Sequence, residues 1–339
     1  MPRPSRRSGS CRDRPLADWD AYSRPAFEKA REILGGVAHR TPITRCRTLS
    51  EMALCDLAMK CENLQRVGAF KFRGAYTMLA MLTEAERAAG VITYSSGNHA
   101  QAVALSAKLF GTRAVIVMPV DASGVKLSAT RGYGAEILQH GLTPQERQAF
   151  AFNLAQERGL TMVPPYEDSR ILLGQGTVLM EVLEQEPLAE VILVPVGGGG
   201  LLGGVCAAVR AFRPQIEVYG VEPEAADDWA RSIESGRIER IATAHTIADG
   251  LRSLEPGKTP FPIVKEVVRG ILRVSEDQIR RAMLLLLTRA KLVVEPSGAV
   301  SVAGALAHAQ RFRSRRVVAL ISGGNVEPSL LSSLEQPPR

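Results

Sequence analysis

From Leu57 onward the chain alternates between two apolar patterns: short runs rich in valine and isoleucine, and longer stretches whose apolar residues recur every three or four positions. Parallel strands covered on both faces read as unbroken apolar runs, and the helices that cover them read as one-sided. The alternation therefore predicts an α/β chain built on parallel sheets. Strands are predicted at Val91–Tyr94, Ala114–Met118, 135–138, 191–196, 218–221 and 317–321, and helices at 101–110, 126–133, Pro144–Arg158, 174–184, 276–289 and 299–312. Residues 191–209 carry no charge over nineteen positions, but Pro195 and six glycines interrupt them. A strand, a glycine loop and a helix in succession fit this stretch better than a membrane span.

At 339 residues, with 45% apolar and 23% charged residues, the chain is expected to form two subdomains around one cleft. The net charge of +7 is uneven: Arg3, Arg6, Arg7, Arg12 and Arg14 against Asp13 place +4 in the first fourteen residues and leave +3 for the rest. A weakly basic body is a poor footprint for a duplex, so no nucleic-acid partner is expected. Residues 1–18, rich in Arg, Pro and Ser, read as a disordered tail without the apolar stretch of a secretory signal. Five scattered cysteines without a C-x-x-C pair suit a reducing compartment, taken here as the cytoplasm.

Four segments carry candidate chemistry. Lys71 lies within Gly68-Ala69-Phe70-Lys71-Phe72-Arg73-Gly74-Ala75. A lysine partly dehydrated between two aromatic side chains has a lowered pKa and a neutral amine able to attack an aldehyde, which is how a Schiff base begins. Gly197, Gly198, Gly199 and Gly200 follow an apolar run and precede a helical pattern. Each glycine costs roughly 0.5–1 kcal/mol of chain entropy relative to alanine. Close backbone approach to a phosphate at a helix start is one reason for four in a row, and tight strand-to-helix packing is the other. In Ser95-Ser96-Gly97-Asn98-His99 the backbone amides of a strand-to-helix turn can grip a substrate carboxylate, Asn98 can donate to a phenolic oxygen, and His99 helps to shape the turn. Ser322-Gly323-Gly324-Asn325 offers a hydroxyl to a heteroaromatic nitrogen; unlike an aspartate, it would not keep a pyridine ring protonated.

Together these segments supply what a bound phosphorylated aldehyde needs. A rival pattern shares the glycines: Gly198, Gly200 and Gly203 complete G-x-G-x-x-G, and Glu222 follows nineteen residues later, where a nicotinamide enzyme places its ribose-binding acid. That reading leaves Lys71 and the serine-containing turns unexplained.

With these residues in hand, the chain resembles the fold type II pyridoxal-phosphate enzymes, in the serine/threonine dehydratase and serine racemase branch. The likeness spans roughly residues 20–330. Its further markers are Glu62-Asn63-Leu64-Gln65, Gly174-Gln175-Gly176-Thr177, Val221-Glu222-Pro223-Glu224, Thr246-Ile247-Ala248-Asp249-Gly250 and Glu295-Pro296. The resemblance implies a tryptophan synthase β-like fold with two parallel-sheet subdomains and the cofactor in the cleft: residues 19–89 and 168–330 as the large cofactor-binding domain, 90–167 as a small mobile domain, and 331–339 as a second tail. It implies that Lys71 bonds to pyridoxal 5'-phosphate and takes the substrate's α-proton on one face, with Ser96 on the other. Phe70 would pack on the ring, Asn98 would hold its phenolic oxygen, Gly197, Gly198, Gly199 and Gly200 its phosphate, and Ser322 its nitrogen, with Glu295 close by. Ser95, Ser96, Gly97, Asn98 and His99 would meet the substrate.

Glu222, the Ala226 carbonyl and Asp228 match the divalent-metal site of the racemase branch, where oxygen ligands suit Mg2+ or Ca2+. Arg147 corresponds to an arginine that in racemases approaches the distal end of a substrate, the alternative being a plain exposed helix arginine. Two departures stand out: Ala69 where many relatives have serine, and Gly124 in place of a lid proline. The implied activity is β-elimination of a small L-β-hydroxy amino acid, L-threonine or L-serine, to a 2-oxo acid and ammonia. Serine racemisation and 3-hydroxyaspartate dehydration are alternatives on the same scaffold; a nicotinamide oxidoreductase and a non-catalytic pyridoxal-phosphate binder stand outside it. A homodimer without membrane association is expected.

Overall fold

The computed structural model describes residues 17–95, 97–122 and 124–334. Most of the expected N-terminal tail, the last five residues and Ser96 lie outside the described residues. The strands are Ile43–Arg45 (β1), Asp56–Cys61 (β2), Val91–Tyr94 (β3), Ala114–Met118 (β4), Glu136–Gln139 (β5), Thr161–Met162 (β6), Val191–Pro195 (β7), Glu217–Pro223 (β8), Gly270–Val274 (β9) and Arg316–Ile321 (β10). They form a six-stranded sheet in the order β1-β2-β10-β7-β8-β9 and a four-stranded sheet in the order β5-β4-β3-β6. Every strand pairing is parallel except the edge pair β1–β2.

In the larger sheet β10, late in the sequence, inserts between β2 and β7, with Val317 opposite both Leu57 and Val191. Its residues Val317, Ala319 and Ile321 join the core on one face while Val318 and Leu320 join the core on the other, as expected of a strand covered on both sides.

Three helices cross closely behind the cleft. Lys71–Ala80, Ser169–Gln185 and Gly200–Phe212 approach so tightly that a side chain at Gly174 would strike the Arg73 carbonyl and Gly74, and one at Gly176 would strike Gly204. A buried ionic cluster braces the first of them. The Arg73 guanidinium donates to both Glu62 oxygens at 2.8 Å and to Glu181 at 2.7 Å, and Lys60 donates to Glu181 and to the Thr41 carbonyl. Arg73, Glu62 and Lys60 are almost wholly buried, so the charges are held by one another rather than by water.

The strands β1, β2, β6 and β9 are not among the predicted strands: β1 and β6 are only two or three residues long, the buried Lys60 interrupts the apolar residues of β2, and β9, at an edge, is half-buried and lacks a continuous apolar run. The predicted strand 135–138 lies one residue later, at Glu136–Gln139. The predicted helix 276–289 is α-helical only to Leu285, then widens into a π turn at Leu286–Ala290 that stops at Lys291, which has φ 61°. The helix expected at 174–184 begins at Ser169, where the Asp168 side chain accepts the Arg170 N–H. Among the described residues no helix is long and apolar enough to cross a membrane.

Candidate active site

Strand order brings the four segments together. The 197–200 loop leaves β7, Ser322 leaves β10, the 95–98 turn leaves β3, and Lys71 opens the helix that follows β2. The first three lie at carboxyl-terminal strand ends, where parallel sheets place ligands, and Lys71 joins them from the helix beyond β2. They line one cavity of about 380 Å³, within the usual range for small-molecule sites.

Lys71 Nζ donates to the Pro165 carbonyl at 3.0 Å and stands 5.2 Å from the centre of the Phe70 ring. Burial pulls its ammonium from 10.5 down to about 8. The second aromatic neighbour acts elsewhere: Phe72 is fully buried and packs on Tyr76, so Lys71 is dehydrated by the enclosing cleft and Phe70 rather than by a pair of rings.

The glycine loop answers both of its sequence readings. On the protein side, a side chain at Gly197 would meet the Gly250 backbone, one at Gly198 would enter the Tyr166 ring, and one at Gly199 would meet Trp229. Gly199 also has φ +99°, which side chains rarely adopt. Trp229 Nε1 donates to the Gly197 carbonyl, fixing the loop from behind. On the cavity side, the N–H groups of Gly198, Gly199, Gly200, Leu201 and Leu202 donate to no protein acceptor among the described residues. Free amides at the start of the thirteen-residue helix Gly200–Phe212 are a fitting cradle for a phosphate.

Ser322 is 3% exposed and lines the cavity, while its carbonyl accepts the Phe70 N–H at 3.0 Å. Asn98 Nδ2 donates to Glu295 Oε1 at 2.8 Å. His99 is buried, its Nε2 against the Val163 carbonyl at 3.0 Å; burial, with the Lys71 charge adding to it, drives its pKa down to about 3. The ring is therefore neutral, and its Nδ1 has no partner among the described residues. Ser95 supports the turn by accepting the Gly97 N–H at 3.3 Å.

Arg147 is not a plain exposed helix arginine. It is 8% exposed and lines the same cavity. Its Nη1 donates to the Leu142 carbonyl at 3.0 Å, its Nε has no partner, and it makes no ion pair among the described residues. The adjacent Glu146 carboxylate is occupied in capping the Leu142 and Thr143 N–H groups. Burial lowers the Arg147 pKa.

Two lining residues carry no signal in the sequence. Tyr166 packs its ring over Gly198, and burial raises its phenol to about 12; Ser253 donates to Asp228 Oδ2 at 3.2 Å. Neither sits in a glycine turn or a recognisable spacing that could have announced it.

Glu222 and Asp228 are both fully buried, and Ala226 is 1% exposed between them. Burial, reinforced by Asp228, raises Glu222 well above the ordinary carboxylate range; burial raises Asp228 to about 8. The two acids supply oxygen donors of the kind a hard divalent cation takes, but among the described residues no three His, Cys, Asp or Glu side chains gather there. The nicotinamide reading fails here: Glu222 Oε1 and Oε2 accept the Ala230 and Trp229 N–H groups at 2.8 and 3.2 Å, and the residue is buried outside the lining of the cavity.

Comparison with known proteins agrees with this geometry. Residues 36–323 match the family described as pyridoxal-phosphate dependent enzyme. The serine racemase of Schizosaccharomyces pombe is 43% identical over 298 residues, 88% of this chain and 92% of that protein. An L-threo-3-hydroxyaspartate ammonia-lyase from Pseudomonas sp is 44% identical over 306 residues, covering 90% and 96%. Among solved structures, the T.th. threonine deaminase superposes with a TM-score of 0.85 at 42% identity, covering 90% of this chain and 99% of that one. The free amide cradle, the dehydrated lysine and these likenesses converge: the chain belongs to the fold type II pyridoxal-phosphate dependent enzymes, in the ammonia-lyase and racemase branch.

Proposed function

We propose that this chain is a β-eliminating ammonia-lyase of small L-β-hydroxy amino acids. The observation that carries the reading is the pairing of Lys71, lowered to about 8, with the unpaired amides of the 197–200 loop in one cavity. Pyridoxal phosphate, when bound, supplies an electron sink that acidifies the substrate's α-carbon proton. Lys71 Nζ would hold the cofactor at rest and, once the substrate's amine has displaced it, would be free to take that proton; the free amides of the glycine loop would hold the phosphate, Asn98 and Ser322 the ring's polar atoms, and Phe70 would pack on its face. Ser96, outside the described residues, keeps its expected place on the opposite face. The substrate loses water across its α and β carbons and takes water back as ammonia leaves, giving a 2-oxo acid. Residues 90–167 are proposed to close as a small domain over 19–89 and 168–330. Glu222, the Ala226 carbonyl and Asp228 are proposed to hold Mg2+ or Ca2+.

A specific observation favours substrates with a second carboxylate over L-threonine and L-serine: the buried Arg147 has donors to spare and, among the described residues, no carboxylate paired with it. L-threo-3-hydroxyaspartate carries such a group, and the 44% identical relative is named for it. A homodimer belongs to the proposal, supported by the half-exposed apolar side chains of Leu64 and Val293 on neighbouring loops joined by the bond from Asn63 Nδ2 to the Val293 carbonyl. A cytoplasmic setting is supported by four free, buried cysteines.

The test is ammonia release from L-threo-3-hydroxyaspartate, L-serine and L-threonine, with and without Mg2+, and chiral chromatography of L-serine incubations. Release from none of the three would overturn the lyase reading, and D-serine as the main product would favour the racemase.

A further inference from the structure

Asn325, outside the residues expected to meet cofactor or substrate, completes a hydrogen-bond chain that fixes how Asn98 faces the cleft. Its Nδ2 donates twice, to the Val67 carbonyl at 2.7 Å and to Asn98 Oδ1 at 2.8 Å. Asn98 Nδ2 in turn donates to Glu295 Oε1 at 2.8 Å. An amide has two faces, one accepting and one donating, and its choice of orientation follows its neighbours. Here the neighbours leave one choice. Turning the Asn98 amide over would set its oxygen against the Glu295 carboxylate and its NH2 against the NH2 of Asn325, losing two hydrogen bonds for two repulsive contacts.

The orientation of Asn325 is itself fixed. With both Nδ2 hydrogens committed, its Oδ1 comes so close to Gly68 that a side chain there would meet it at 2.6 Å; Gly68 has φ +70° and no side chain to offer. The preceding Val67 is also in the left-handed region, at φ 56°, a conformation that costs a branched residue roughly 1–2 kcal/mol. The carbonyl of that strained residue is the one Asn325 binds. Around it, Gly324 N donates to the Gly68 carbonyl at 2.9 Å and Phe70 N to the Ser322 carbonyl at 3.0 Å, with Ala69 bridged to Gly323. The segment that ends in Lys71 and the segment that ends in Asn325 are thus one zipped unit, and the side chain of Asn325 reaches from it to the helix Asn98–Leu109.

We infer that Asn325 is a positioning residue: it sets the Asn98 amide so that Asn98 presents its NH2 to the ring oxygen of pyridoxal phosphate, and it does so from the same backbone unit that carries Lys71. This rests on the proposed contact between Asn98 and the cofactor. The chemistry is specific to the amide. An aspartate at 325 has the same shape against Gly68 but no hydrogens, and it would place a carboxylate on either side of Asn98.

The experiment compares Asn98→Ala, Asn325→Ala, Asn325→Asp and the double variant Asn98→Ala/Asn325→Ala, each checked for folding by circular dichroism as apo protein. Two quantities are read: the dissociation constant for pyridoxal phosphate by fluorescence, and the absorption maximum of the bound cofactor. Asn98→Ala is expected to weaken binding and shift the maximum; if it does neither, the proposed Asn98 contact fails and the inference fails with it. Asn325→Ala is expected to weaken binding by about tenfold, the scale of one hydrogen bond, and to shift the maximum in the same direction. In the Asn98→Ala background it should add less than about twofold, because non-additivity is the signature of acting through a partner. A folded Asn325→Ala that binds and absorbs like the parent, or one whose loss persists undiminished without the Asn98 amide, overturns the inference. Should Asn325→Ala not fold, Asn325→Asp, alone and with Asn98→Ala, is read by the same two quantities, and the same results support or overturn the inference.

Discussion

Removing the charge at Arg147 while keeping an unbranched side chain of similar length, as in Arg147→Met, separates substrates by their distal group. Arg147 is 8% exposed, its Nε is unpaired, and only the Leu142 carbonyl is bound to its guanidinium among the described residues. A substrate carboxylate reaching it would gain a charge-assisted hydrogen bond in a site largely shielded from water, roughly 1.5–3 kcal/mol. At about 1.4 kcal/mol per factor of ten, kcat/KM for L-threo-3-hydroxyaspartate should fall roughly tenfold to 150-fold. L-Serine and L-threonine have no group to lose there and should change by less than about threefold. The apo variant should melt no lower than the parent, since a buried charge with no ion pair among the described residues, and only the more distant Asp121 and Glu146 charges to offset its burial, is a cost the methionine does not bear. Ammonia release measured on all three substrates checks this. Equal losses on all three, or no loss on the dicarboxylate, would refute the role assigned to Arg147.

The lowered Lys71 pKa sets a pH profile: a group depressed to about 8 gains its neutral form as pH rises through 8, so stopped-flow capture of pyridoxal phosphate by the apo protein should speed up about tenfold per unit below 8 and level off above it. A rate still climbing at about pH 10 would mean an ordinary lysine. Gly198→Ala should weaken cofactor affinity by at least about tenfold because its methyl group enters the Tyr166 ring, and adding Tyr166→Ala should recover much of the loss; absence of recovery, read by fluorescence titration, removes Tyr166 as the cause. Glu62→Gln should cost the apo protein about 3–5 kcal/mol in urea unfolding, since it leaves the buried Arg73 short of a charge partner. A loss below about 1 kcal/mol would show that Glu181 suffices.

The parts of this protein legible in its sequence are those with a local signature. The β7 and β10 strands are unbroken apolar runs because both faces are covered, and Gly197, Gly198, Gly199 and Gly200 stand out because few backbone turns need four glycines together. What local pattern does not carry is the partner across the fold. The glycines at 174 and 176 enter the sequence only as part of a family marker, and the reason for them appears when the crossing helices are seen against them. Phe72 and Phe70 flank Lys71 alike in sequence, yet a helix turns one into the core and leaves the other at the cleft. Arg147 looks solvated on a helix rich in Gln, Glu and Arg, and only the cavity beside it shows otherwise. Tyr166 and Ser253 lie outside glycine turns, and their place in the site depends wholly on contacts distant in sequence.

The most direct measurement is borohydride reduction of the holoenzyme followed by peptide mapping. A pyridoxyl mass on the peptide containing Lys71, and its disappearance in Lys71→Ala together with ammonia release, is the expected result. Label on another lysine, or turnover that survives Lys71→Ala, would contradict the assignment of the chemistry to this side chain.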